Sequence, residues 1–164
     1  MKTSNLDLER MEDSTGMFIL GLRHGAGDGD VPVNHELACK LYLAATTLGP
    51  RGTDWGGHPT AMLHLALHYE RGLGVEKDYQ QAYQYYKQVT EHKHPGAEEV
   101  KHAFKALSRY HAEGLGGVEE SNELSMKYLA FSMSNPESAE DIKHMERWWQ
   151  SGGREATMKE MESK

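Results

Sequence analysis

Apolar residues recur along this chain in pairs of helical stretches joined by glycine turns. Ala61, Leu65 and Tyr69 fall four residues apart and lead into Gly72-Leu73-Gly74-Val75; beyond that turn, Ala82, Tyr85, Tyr86 and Val89 resume a helical period. The pattern predicts a helical hairpin. Gly72 and Gly74 supply the positive φ angles that end a helix in a tight turn. Asp78 can accept orphan N–H groups at the next helix start, and Gln81 completes a capping box.

The same pattern returns on both sides. Upstream, Leu20-Gly21 precedes His24, Gly27, Gly29 and Val31, then Asn34, Ala38, Leu41, Tyr42 and Ala45. Downstream, Ala103 and Leu107 precede His111, Gly114, Gly116 and Val118, then Ser121, Ser125, Tyr128 and Leu129. The glycine turns lie 45 and 42 residues apart, a period of helical-repeat arrays. Asn34, Asp78 and Ser121 differ chemically yet share the ability to cap a helix N-terminus, so the match is structural rather than compositional. Both outer turns carry one extra residue, Asp30 or Gly117, which predicts a local bulge there.

The remaining segments follow from local signals. Leu6–Met11 reads as a short acidic helix leading to a first apolar helix at about Ser14–His24. After Leu48 the Gly- and Pro-rich connection around Trp55 is too long for a minimal link, and its indole is expected to fold back on the core. Pro59 and Pro95 suit the first turns of the helices that follow, and the wider Pro95-to-Gly114 spacing predicts a helix about a turn and a half longer than its counterpart. Asn135-Pro136-Glu137 predicts a helix running to about Gln150 and ended by Ser151-Gly152-Gly153. Ile142, Met145 and Trp149 share one face of it, so Trp149 should anchor while the adjacent Trp148, about 100° away, stays nearer solvent. The expected organisation is an N-terminal extension or cap at 1–15, three hairpins within 16–134 (about 16–50, 59–92 and 95–134), a C-terminal capping helix at 135–150, and a charged tail at 151–164.

The middle copy, with Ala61, Leu65, Tyr69, Gly72, Gly74, Val75, Asp78, Ala82, Tyr85 and Tyr86, resembles the Sel1-like repeat, a relative of the tetratricopeptide repeat. Ala66 replaces that pattern's usual Gly and Val89 its final Ala; His24 and His111 stand where it has Tyr, and Ser121 and Ser125 where it has Asp and Ala. The resemblance implies an all-α fold, a right-handed α/α solenoid of about three hairpins, and an adaptor or scaffold role rather than catalysis.

Composition narrows the function classes. With 26% charged residues, net charge -7 and no basic run, the chain lacks the clustered cations that phosphate neutralisation requires, so nucleic acid is not an expected partner. No apolar run reaches membrane-spanning length, and the first twenty residues carry acids where a secretory leader needs an apolar core, so the expected location is intracellular and cytoplasmic. The single cysteine, Cys39, reads as a small buried residue. A solenoid of this length is expected to behave as one domain built from neighbouring hairpins.

No phosphate loop, nucleophile elbow or cysteine ligand pair is present, and no cofactor is expected. His64 and His68 share a helix face, which makes a metal-binding or hydrolytic protein the alternative, but two ligands are too few. The Gly-Asp-Gly-Asp run at 27–30 lacks the further ligands of a calcium loop and reads as a turn. The favoured expectation is a non-catalytic module whose concave face, lined by the first helices, receives a peptide or partner helix. In register, Arg23, His64, His68 and Tyr110 form the candidate stripe, with Arg71 and Arg109 beside it and Trp148 as a further contact or a point of weak self-association of an otherwise monomeric chain.

Overall fold

The computed structural model describes residues 13–48 and 56–163. The Leu6–Met11 helix and the infolding of Trp55 lie outside these residues. Among the described residues regular structure is helical: α1 (Ser14–Ala26), α2 (His35–Thr47), α3 (Pro59–Arg71), α4 (Tyr79–Glu91), α5 (Ala97–Glu113), α6 (Asn122–Met133), α7 (Ala139–Trp148) and α8 (Arg154–Glu162). Instead of one domain, the chain divides into two compact units, Met1–Asp78 and Tyr79–Lys164. The physical reason lies in the linear array: each hairpin packs only on its neighbours, so no central core is shared by all helices.

In the first unit α1 and α2 form an antiparallel hairpin. Its helices approach closely because Gly21 has no side chain: a Cβ there would lie 2.7 Å from the Tyr42 ring. Asp13 caps α1 by accepting from the Thr15 amide at 2.9 Å, and Asn34 caps α2 by accepting from Leu37 at 3.0 Å. Pro59 occupies the first turn of α3, where its missing N–H costs nothing. Leu41, Tyr42 and Leu65 are fully buried, each contributing about 1.5–3 kcal/mol of transfer free energy.

In the second unit α5 and α6 form the third hairpin. The departures from the repeat pattern compensate one another here: Ser108 Oγ donates to the Ser125 carbonyl at 2.8 Å and lies 3.1 Å from Ser125 Oγ. Ser121 still caps, accepting from the Leu124 amide at 3.2 Å. α5 has 17 residues against 13 in α3, one turn longer rather than one and a half. The difference arises because Pro95 lies outside the helix, with Gly96 at its N-cap.

A closing hydrogen bond recurs in all three turns. The N-cap amide of the second helix donates to a last-turn carbonyl of the first: Asn34 to His24 at 2.7 Å, Asp78 to Tyr69 at 2.9 Å, and Ser121 to His111 at 2.8 Å. Gly27, Gly72 and Gly114 all turn at positive φ, returning their amides to Arg23, His68 and Tyr110. Both outer turns carry the expected irregularity, an Asp28–Val31 bridge in the first and a 3₁₀ turn at Leu115–Gly117 in the third.

The C-terminal helix begins later than its sequence signals indicate. Asn135 takes φ 47° and ends α6 instead of capping α7. The cap is Ser138, which accepts from the Asp141 amide at 3.2 Å, while Asp141 Oδ2 accepts from Ser138 Oγ at 2.7 Å and from the Glu137 amide at 3.1 Å. These bonds, that from Ser138 above all, hold the Asp141 carboxyl below its ordinary range. α7 stops at Trp148, and a π-type turn over Trp149–Gly153 leads into α8, so the charged tail is helical over Arg154–Glu162. Trp149 is 6% exposed and meets Phe131 of α6 edge-on at 6.3 Å, whereas Trp148 is 46% exposed. Lys127 and Glu146 tie α6 to α7 at 2.7 Å.

Candidate interaction site

The candidate stripe depends on which way the last turn of each first helix faces. In the first unit His68 lies among three residues of α2: its ring is 5.6 Å from His35 and 5.3 Å from Tyr42, and its Nδ1 is 3.2 Å from Cys39 Sγ. In the second unit Tyr110 lies among three tyrosines of α4, at 6.0 Å from Tyr79, 5.9 Å from Tyr83 and 5.9 Å from Tyr86. Counted from Asn34 and Asp78, the two trios occupy the same first, fifth and eighth positions of their helices. The residue before the aromatic position is therefore the knob that each hairpin inserts into the second helix of the hairpin before it.

This corrects the stripe. His68 is 6% exposed and Tyr110 is fully buried, so neither is open to a partner. Arg23, at the same register, is half-exposed and pairs with Asp28 at 2.9 Å. His64 is half-buried, its ring 5.6 Å from Phe18 and 5.2 Å from Tyr42. Arg71 and Arg109 are exposed, the latter with its guanidinium 5.7 Å from the Tyr110 ring centroid. The remaining candidate, Trp148, rests its ring on Gly153, where a Cβ would have no room.

The second glycine of each turn serves the same seam. A Cβ on Gly74 would run into the backbone of His35 and Glu36 at the start of α2, and one on Gly116 would lie 2.7 Å from the Tyr79 carbonyl at the start of α4. Gly29 has no described atom within 4 Å of such a Cβ.

The two pattern-breaking histidines differ. His111 is satisfied on both sides, by the Glu119 carbonyl at Nδ1 and the Tyr83 hydroxyl at Nε2, each at 3.2 Å. His24 is buried, and among the described residues neither ring nitrogen has a hydrogen-bond partner, an arrangement that costs about 1–3 kcal/mol.

Electrostatics near His68 argue against reactivity. The Cys39 thiol donates to the Leu73 carbonyl at 3.2 Å, and His68 Nδ1 lies 2.9 Å from the same oxygen. Burial pushes the thiol up to about 11, so the nucleophilic thiolate is scarce near neutrality. Among the described residues no group of three or more His, Cys, Asp or Glu side chains is placed to hold a metal ion. No described helix is long and apolar enough to cross a membrane.

Burial holds His68 below the ordinary imidazole value of 6.5, partly offset by its bond to Leu73, with His35 and Arg71 reinforcing the burial. The unfolded chain then binds more protons than the folded one below that value. Stability is complete above it and is lost as pH falls from 6.5 toward the lower folded value, by at most about 1.4 kcal/mol per pH unit. Urea unfolding across this window should show a shallower pH slope in His68→Gln; an unaltered slope would remove His68 from the account.

The comparisons with known proteins agree with this geometry. The sequence profile of the Sel1 repeat matches residues 14–50, 59–93 and 106–131. The crystal structure of a Sel1 repeat protein from Oxalobacter formigenes is similar in fold, with a TM-score of 0.62 at 22% identity. The match covers 79% of this chain and 46% of that one, so this chain spans about half its length. No curated protein matches the chain. Three repeat matches, the recurring closed turns and the seams between hairpins together make the fold an α/α solenoid, and the chain belongs to the Sel1 repeat family.

Proposed function

We propose that this chain is a non-catalytic adaptor or scaffold module that receives a peptide or partner helix on the concave face of the solenoid, lined by its first helices. Sel1 repeats are generally protein–protein interaction modules, and the family is typically non-catalytic. The observation that carries the reading is the division of labour within the first helices. Their last-turn knobs His68 and Tyr110 are consumed in seams, while Arg23, Arg71 and Arg109 remain on the surface. Guanidinium groups present several donors in a fixed fork and suit contacts with carboxylates or backbone carbonyls of a partner. His64 is half-buried in the first unit, and Trp148 adds an exposed aromatic in the second.

Affinity capture with the intact chain and with an Arg23→Glu, Arg71→Glu, Arg109→Glu variant tests the proposal. A protein retained by the former and released by the latter, with matching circular dichroism melts, is expected. Recovery of identical proteins by both would exclude these arginines as partner contacts.

A further inference from the structure

In each seam a second helix offers its first, fifth and eighth positions, and the following first helix inserts a knob among them. The eighth residue shows whether the knob is seated. Tyr42 of α2, 5.3 Å from the His68 ring, is 1% exposed, and Tyr86 of α4, 5.9 Å from the Tyr110 ring, is 2% exposed. Counted from Ser121, the same positions of α6 are Asn122, Met126 and Leu129. Here Leu129 is 39% exposed, and Met133, one turn further along the helix, is 74% exposed. The residue in knob register after α6 is Trp148, four before Gly152 as His68 is four before Gly72 and Tyr110 four before Gly114. It stays out of the seam. Gly152 turns at φ 122° where Gly72 and Gly114 turn at 68° and 64°; Trp149 takes the contact with Phe131 of α6, and the half-exposed Trp148 ring lies over Gly153. A groove of about 300 Å3 opens where α6 ends beside α7, lined by Ser134, His144, Met145 and Trp148. A dry apolar cavity of roughly 150 Å3 already accommodates benzene.

From this open third seam we propose that Leu129 and Met133 of α6, with the neighbouring groove lined by Met145 and Trp148, receive an amphipathic helix of a protein partner that carries an aromatic knob. Both preceding seams show what covers this face: a helix whose ring packs on the eighth residue. Leu129 and Met133 stand one turn apart, so a helix with apolar residues at i and i+4 matches them, its ring against Leu129 and its second apolar side chain toward Met133 and the groove. The methionines adapt to side chains of different shape, and the Trp148 ring supplies a rigid apolar wall. On α6 the flanking charges are already paired, Lys127 with Glu146 at 2.7 Å and Glu123 with Arg154 at 2.9 Å, so apolar area rather than charge drives the docking. The surface belongs to a second helix and to α7, so it does not rest on the arginines of the first helices.

The test is a methyl-detected NMR titration of the full chain with a stapled synthetic helix of the Ala97–Glu113 sequence, which carries the knob Tyr110, and with its Tyr110→Ala analogue. Stapling removes the cost of ordering the peptide. Saturable shifts at Leu129, Met133, Met145 and the Trp148 indole are expected, with a dissociation constant on the order of 0.1 mM and at least several-fold weaker binding of the analogue. Leu129→Glu should weaken binding about tenfold. Met133→Glu, at the most exposed position, should do the same with an unchanged melting temperature, which guards against a folding defect in the first variant. No shifts at about 1 mM peptide, equal binding of the two peptides, or shifts that persist in both variants would overturn the proposal. Shifts that arise without peptide as the chain is concentrated, and vanish in Met133→Glu, would assign the face to a second copy of this chain and overturn it as well.

Discussion

Gly74→Ala is expected to destabilise the chain by about 3 kcal/mol or more, and Gly29→Ala by only about 1–2 kcal/mol, although both residues turn at positive φ. The shared part is the cost of placing a Cβ in the left-handed region. The additional part at Gly74 is steric: the new methyl meets the backbone of His35 and Glu36, which cannot rotate away as a side chain could. The start of α2 must then move off the turn, opening the seam that His68 fills. Gly116→Ala should resemble Gly74→Ala for the same reason, with the Tyr79 carbonyl 2.7 Å from its Cβ. Urea unfolding midpoints of the three variants decide the matter. Equal losses at Gly29 and Gly74 would show that the close approach contributes nothing.

Tyr110→Ala is expected to cost about 3–5 kcal/mol, and Arg23→Ala at the corresponding position less than about 0.5 kcal/mol. Tyr110 is fully buried among Tyr79, Tyr83 and Tyr86, so its truncation leaves a cavity walled by rings on a continuous helix, which cannot collapse to fill it. Arg23 loses only an exposed ion pair with Asp28, of small net worth in water. Differential unfolding of the two variants measures this contrast. A small loss for Tyr110→Ala would mean the knob is not seated, and would return Tyr110 to the candidate partner contacts.

Much of the architecture was legible because its signals are local. Glycines at the turns and hydrogen-bonding residues at Asn34, Asp78 and Ser121 act within a few residues of themselves, so their spacing reveals the repeats before any packing is known. The anchoring of Trp149 rather than Trp148 was legible for a similar reason: consecutive residues on a helix cannot share a face. Local reasoning failed at Asn135 and Pro95, where two helix ends competed for one short segment. The residues that cap, Ser138 and Gly96, were outranked on paper by stronger-looking signals beside them.

The interaction stripe was misread at His68 and Tyr110 because a helical wheel has a direction only relative to its neighbours. Periodicity groups these residues with Arg23, and nothing in their own helices distinguishes a face turned to solvent from one turned to the preceding hairpin. The relevant clue lay a whole repeat away, in the first, fifth and eighth positions of α2 and α4, and it became readable only once Tyr79, Tyr83 and Tyr86 were seen around one ring. Helix content, turn positions and repeat number thus follow from interactions within about ten residues of chain. The faces left open follow from contacts between hairpins, whose energies depend on side chains far apart in sequence and meet only when the array has stacked.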